Sequence, residues 1–174
     1  DNNKKFSYAA SFGFDKLSQG YKNQYKELLN NFNKISVREK AGKKILKELG
    51  IEATEVLDPT LLLDKNEWIN LMNRKEKKII QTGDYILVYS SYSELLKDFV
   101  LKLSEKTNCK ILDLSFTIKS LFNKKFISIA GIGPNEFLSL FYHAKHIVTN
   151  TFHGTAFAIN FNKPFFVIFL KTQY

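Results

Sequence analysis

The run Tyr85-Ile86-Leu87-Val88-Tyr89 constrains this chain more than any other stretch. Five consecutive apolar residues follow the turn signal Thr82-Gly83-Asp84 and leave no polar face for water. Such a run fits a strand buried on both faces, which is the condition of a central strand in a parallel sheet with helices packed above and below. The neighbouring segments supply the rest of such a sheet. Ser93 caps a predicted helix that places Leu95, Leu96, Phe99, Val100 and Leu103 on one face. Strands are predicted at Lys110 to Leu114 and at Phe126 to Ala130, with a basic exposed loop over 119–125 before the second of them. Gly131-Ile132-Gly133-Pro134-Asn135-Glu136 turns into a helix through Ala144, with proline suited to its first position and Glu136 to its first turn. His146 to Thr149, a polar turn, a short helix to Asn162 and a strand over 165–169 complete the half.

The first half repeats the alternation. Phe6 to Phe14 reads as a strand running into a loop at Gly13. Leu17, Tyr21, Tyr25, Leu28, Leu29 and Phe32 recur at helical spacing, which predicts a helix over 15–31 whose tyrosines pack in the core. Ile35 to Arg38 is a short strand, and Ile45, Leu46 and Leu49 line a helix stopped by Gly50. Glu55 to Leu57 is a strand closed by Asp58-Pro59-Thr60. The expected class is α/β, with two Rossmann-like parallel-sheet halves. Residues 1–63 read as the C-terminal part of a first domain and 84–174 as a second. The linker between them, 64–83, has a helix capped by Asp64 and a solvated charge run from Arg74 to Lys78. The chain opens on Asp1 rather than methionine and ends just past a strand, so a fragment is expected, lacking the start of the first domain and the end of the second.

Composition narrows the function classes. A hydrophobic share of 44% with 16 Phe and 8 Tyr supports a packed core. The net charge of +9 favours anionic partners such as phosphorylated metabolites or an acidic membrane surface. Arg38 and Arg74 are the only arginines, which argues against nucleic acid, whose readers lean on arginine. Cys109 is the single cysteine, so no disulfide forms within the chain, and its apolar strand setting reads as an inert buried thiol. There is no metal-ligand spacing, no Gly-x-Ser-x-Gly elbow and no Walker lysine loop.

Two places hold chemistry-bearing residues. Asn150-Thr151-Phe152-His153-Gly154-Thr155 follows a buried strand and opens a helix, a position that favours a phosphate or carboxylate. A histidine there can move a proton near neutral pH. The same residues equally describe a capping turn with a locally bonded histidine. Arg38 ends a strand beside Glu39, where its fork can grip a carboxylate or phosphate; a salt bridge with a neighbour is the plain alternative. Asp58-Pro59-Thr60 is also at a strand end and reads as a domain-edge turn, while His143 and His146 read as structural.

Four segments in this order and spacing resemble the polysaccharide pyruvyl transferase family: Tyr8-Ala9-Ala10-Ser11-Phe12-Gly13, Ile35-Ser36-Val37-Arg38-Glu39, Val56-Leu57-Asp58-Pro59-Thr60-Leu61-Leu62, and Ala144 to Pro164 around Phe152-His153-Gly154. Family members commonly carry serine or aspartate-serine before Phe-His-Gly, where this chain has Asn150-Thr151. The resemblance implies a GT-B-like fold with a cleft between two Rossmann-like halves. It implies transfer of pyruvate from phosphoenolpyruvate to two hydroxyls of a sugar in a cell-surface polysaccharide or its precursor, giving a cyclic ketal, without an organic cofactor; lipid-linked and nucleotide-linked sugars are the acceptor forms to consider. It implies a cytoplasmic enzyme, compatible with peripheral association at the inner membrane face. By the family's pattern His153 and Arg38 are the catalytic candidates. Glu39, Thr151, Gly154, Thr155 and Glu136 join Arg38 as candidate substrate contacts. Two other functions fit the same residues: a GT-B nucleotide-sugar glycosyltransferase, and a non-catalytic module that binds anionic glycans.

Overall fold

The computed structural model describes residues 3–72, 83–91, 93–114 and 126–169. The charge run at 74–78, Thr82 and the basic loop at 119–125 lie outside the described residues. The chain forms two compact units, Asp1–Leu62 and Leu63–Tyr174.

The first unit has three parallel strands, β1 (Phe6–Ala10), β2 (Lys34–Val37) and β3 (Thr54–Glu55), in that spatial order. The β1–β2 register slips between Ser7 and Ala10. Ala9 takes up the slip in the left-handed region at φ 50, unusual for a non-glycine residue. The Ser36 hydroxyl bridges the irregularity, donating to Ser7 O at 3.1 Å and accepting from Ala9 N at 3.0 Å. Helix α2 (Lys40–Glu48) sets Leu46 against Ile35 and Val37, with Ile45 also buried, and Gly50 at φ 75 ends it as expected.

Helix α1 differs from expectation. It covers Lys22–Leu29, preceded by a 3-10 turn at Gln19–Tyr21, and it buries no residue. Ser18 and Gly20 are poor helix formers and delay its start. Its tyrosines are not core residues: Tyr21 is exposed, and Tyr25 stacks on Phe12 with ring centroids 5.9 Å apart. Leu17, Tyr21, Tyr25, Leu28 and Leu29 instead line an open apolar groove of about 660 Å³.

Among its described residues the second unit contains five parallel strands: β4 (Tyr85–Tyr89), β5 (Lys110–Asp113), β6 (Phe126–Ser128), β7 (His146–Thr149) and β8 (Phe165–Val167). Their order is β6-β5-β4-β7-β8, which puts the all-apolar β4 at the centre. Alternate residues of β4 enter different cores. Ile86 and Val88 join Ile111, Val148 and the α4 (Ser93–Thr107) residues Leu96 and Val100 on one face. Tyr85 and Leu87 join Leu112, Ile147 and the aromatic faces of α5 (Pro134–His143) and α6 (Phe152–Asn160) on the other. Full burial of a side chain of this size contributes about 1.5–3 kcal/mol, and Ile86, Leu87 and Val88 are all at zero exposure. Helix α3 (Lys65–Met72) begins with a reciprocal cap, Asp64 N to Glu67 Oε2 at 2.7 Å and Glu67 N to Asp64 Oδ1 at 2.8 Å. It packs into this unit, with Trp68 edge-on to Phe157 at 5.3 Å. Cys109 is buried beside Ile111.

From β4 the chain winds outward through β5 and β6, then returns to lie on the other side of β4 as β7. The winding direction therefore reverses between β4 and β7. In open parallel sheets that reversal leaves a crevice at the carboxyl ends of the two strands.

Candidate functional site

The turn from β7 into α6 sits at this reversal. Thr149 ends β7 fully buried, and its hydroxyl donates to Tyr89 O at 2.6 Å, tying the carboxyl end of β7 to that of β4. A carbonyl only accepts, so the single hydroxyl proton of Thr149 is committed there. Thr149 Oγ1 then accepts from Thr151 N at 3.0 Å and from the Thr151 hydroxyl at 3.0 Å. Thr151 Oγ1 in turn accepts from Gly154 N at 3.0 Å, the N-cap bond of α6. Asn150 adds a second tie, its Oδ1 accepting from Ser91 N at 3.2 Å. Thr155 donates its hydroxyl back to Thr151 O at 3.0 Å.

Gly154 is required by contact rather than by backbone angle. A Cβ there would collide with Thr149 Oγ1 and would lie 2.9 Å from Thr151 Oγ1. The packing fixes the second helical position, which His153 occupies. Its half-buried imidazole meets the Phe152 ring edge-on at 5.3 Å. The arrangement presents an imidazole at the positive end of a helix, where an anion is favoured. Sequence reasoning found this turn but passed over the buried polar residues Ser90 and Asp113, which sit with Thr149 at the carboxyl ends of β4, β5 and β7. Each follows or ends an apolar run, and that position was the available signal.

In the first unit Arg38 follows β2, and its N–H donates to Ala10 O at 3.1 Å. Its Nη1 donates to Asp58 Oδ2 at 2.7 Å, and Nε lies 3.8 Å from Glu39 Oε2. Glu39 uses its other oxygen to accept from Phe12 N at 2.8 Å. Asp58 is nearly inaccessible, and its Oδ1 accepts from Thr60 N at 2.9 Å and Thr60 Oγ1 at 2.6 Å. Burial alone would raise the Asp58 pKa. The side-chain and backbone bonds from Thr60, then the Arg38 bond and charge, outweigh burial and hold it below the ordinary carboxylate value. The turn at Asp58-Pro59-Thr60 is thus the partner of Arg38, not only a domain edge.

Glu136 and His143 make local hydrogen bonds. Glu136 Oε2 accepts from Gly133 N at 3.1 Å at the start of α5. His143 Nδ1 lies 2.9 Å from Ser139 O and 3.1 Å from its hydroxyl. His146 Nδ1 is buried at the start of β7 without a hydrogen-bond partner among the described residues. Among the described residues no group of three or more His, Cys, Asp and Glu could hold a metal ion. No described helix is long and apolar enough to cross a membrane.

Two proteins are among those whose solved structures are similar in fold. One is the UDP-GlcNAc 2-epimerase of Methanocaldococcus jannaschii in complex with UDP-GlcNAc and UDP, at 16% identity and TM-score 0.56, covering 78% of this chain and 45% of that one. The other is the wall teichoic acid polymerase TagF, at 14% identity and TM-score 0.52, covering 94% of this chain and 45% of that one. The chain therefore spans less than half the length of either. At these identities the likeness concerns fold alone, and it agrees with two parallel-sheet α/β halves of the GT-B-like kind. A search of curated proteins gave no match. The family model for polysaccharide pyruvyl transferase matches residues 1–168, which contain both the Arg38 and the His153 segments. Nearly the whole chain follows that one pattern, and the chain belongs to the polysaccharide pyruvyl transferase family.

Proposed function

We propose that the protein transfers pyruvate from phosphoenolpyruvate to two hydroxyls of a sugar in a cell-surface polysaccharide or its precursor, forming a cyclic ketal. The observation that carries this reading is the His153 turn at the reversal between β4 and β7, in a chain of this family. The reaction begins with a proton added to the methylene carbon of phosphoenolpyruvate. That leaves a cationic carbon, which one sugar hydroxyl attacks as it loses its own proton. Phosphate departs with the C–O bonding pair, and the second hydroxyl closes the ring and loses its proton. The methyl group and the phosphate take up the two protons the sugar releases. His153 serves as the proton-transfer group. The α6 N-terminus, shaped by Thr151, Gly154 and Thr155, favours the substrate's negative charge. Arg38 binds a carboxylate or phosphate through its fork, and Glu39 orients it. Glu136 is a weaker candidate for sugar hydroxyls, because its cap on α5 accounts for it without a ligand. Phosphoenolpyruvate is a cytoplasmic metabolite, so the reaction belongs in the cytoplasm, at the inner membrane face for a lipid-linked acceptor.

The test incubates the full chain with phosphoenolpyruvate and a panel of lipid-linked and nucleotide-linked sugars, reading phosphate release and ketal mass together. His153→Ala and Arg38→Ala should each abolish the product. Melting curves must accompany Arg38→Ala, because it removes the charged partner of the buried Asp58 carboxylate. Full activity in both variants overturns the site, and phosphate without ketal overturns the reaction. Calorimetry with nucleoside diphosphates separates the glycosyltransferase reading: tight binding of these, with none of phosphoenolpyruvate, would favour it.

A further inference from the structure

We propose that Asp58 is a positioning residue for Arg38, holding its guanidinium in one orientation toward an anionic substrate. The proposal rests on the reading of Arg38 given above. An arginine side chain has four rotatable bonds, so an unanchored fork at the end of a short strand samples many directions. Here one nitrogen, Nη1, is fixed at 2.7 Å from Asp58 Oδ2. Asp58 is itself anchored. Its side chain is 2% exposed, against 24% for Arg38. Two bonds from Thr60, at 2.9 and 2.6 Å, occupy its other oxygen. Its backbone leads into a 3-10 turn, Pro59–Leu61, whose first φ is set by proline.

The chain of support therefore runs from the part-buried Thr60 bonds to Asp58, and from Asp58 to Arg38. The contact differs from an ordinary surface ion pair, where both partners are mobile and the net gain is small. The charge on Asp58 is secured by the same bonds. Glu39 adds a weaker constraint, since Nε is 3.8 Å from its Oε2 and its Oε1 is committed to Phe12 N. The closer of the two carboxylates is the one 20 residues away in sequence, and the adjacent Glu39 supplements it.

The experiment is a double-mutant cycle on phosphoenolpyruvate affinity in the full chain. Phosphorus NMR titration suits it because it follows millimolar binding. The variants are Asp58→Asn, Arg38→Gln and the pair together. Asn keeps an oxygen for Thr60 and removes the charge facing Arg38, so the melting temperature should stay within a few degrees. Asp58→Asn should weaken binding about tenfold on its own and less than about twofold in the Arg38→Gln background. Thr60→Val, which removes one anchor of Asp58, should give a smaller loss in the same direction. A residue needed only for folding would cost the same factor in both backgrounds, and that result overturns the proposal. Unchanged affinity in Asp58→Asn overturns it too while leaving the site reading intact. Unchanged affinity in Arg38→Gln removes Arg38 from the site and takes this proposal with it.

Discussion

Replacing Gly154 by alanine tests whether the His153 turn is held by packing. The added Cβ would overlap Thr149 Oγ1, approach Thr149 Cβ to 2.8 Å and approach Thr151 Oγ1 to 2.9 Å. Neither threonine can withdraw without loss. Thr149 is fully buried and its hydroxyl holds Tyr89 O, while Thr151 Oγ1 holds Gly154 N. Overpacking of this kind costs about 1–3 kcal/mol. Breaking the two hydrogen bonds adds about 1 kcal/mol each. Alanine recovers about 1 kcal/mol over glycine inside a helix. The net destabilisation is about 2–4 kcal/mol. At about 4 °C per kcal/mol for a unit of this size, the melting temperature falls by roughly 8–16 °C. Gly20→Ala is the control, because a Cβ at Gly20 would meet nothing within 4 Å; it should stay within about 0.5 kcal/mol of wild type. Thermal unfolding by circular dichroism reads both. Wild-type or higher stability in Gly154→Ala would refute the argument that this glycine exists to admit Thr149.

Three further outcomes are expected. Thr151→Ala removes the N-cap bond to Gly154 N and should cost about 1 kcal/mol in urea unfolding, with Thr151→Ser restoring most of it; an unchanged midpoint in the alanine variant would contradict the cap. Asp58 has a folded pKa below its ordinary value of 3.8, so its stabilising contribution is complete above that value and fades as pH falls through the folded one. Wild type should therefore lose stability faster than Asp58→Asn as pH falls below about 4, and parallel curves would count against the pair. Lys163 has its pKa lowered by burial and then by the charge of Lys65, and both ammonium groups lie over the Tyr142 ring, at 5.4 and 5.8 Å. Amine acylation near neutral pH, read by mass spectrometry, should label Lys163 more slowly in Lys65→Ala than in wild type, because its pKa then rises.

Much of the second unit is legible in the sequence because its signals are local. The run Tyr85–Tyr89 has no polar position, and it is the central strand. Pro134 and the following acidic residue mark the start of α5, and Asp64 with Glu67 marks that of α3. Strand order is not legible this way, since it depends on pairings such as Val88 with Val148 across 60 residues. The site divides along the same line. Thr151, His153 and Gly154 lie close together in sequence at a strand-to-helix junction, so their shared turn is visible without a structure. The reason Gly154 must be glycine is not visible, because it lies in the approach of Thr149. The partnership of Arg38 with Asp58 spans a helix and a strand and is not visible in the sequence, whereas the longer contact with the adjacent Glu39 is. Helix α1 shows the opposite failure: its apolar spacing predicts burial, yet α1 buries no residue. Periodicity reports a face fit for packing and does not say what is packed against it.

The most direct measurement is phosphate release and ketal mass from the full chain with phosphoenolpyruvate and the sugar panel, run beside folded His153→Ala. The account predicts stoichiometric phosphate and pyruvate ketal in wild type and neither in the variant. Ketal formation by His153→Ala at the wild-type rate would contradict it.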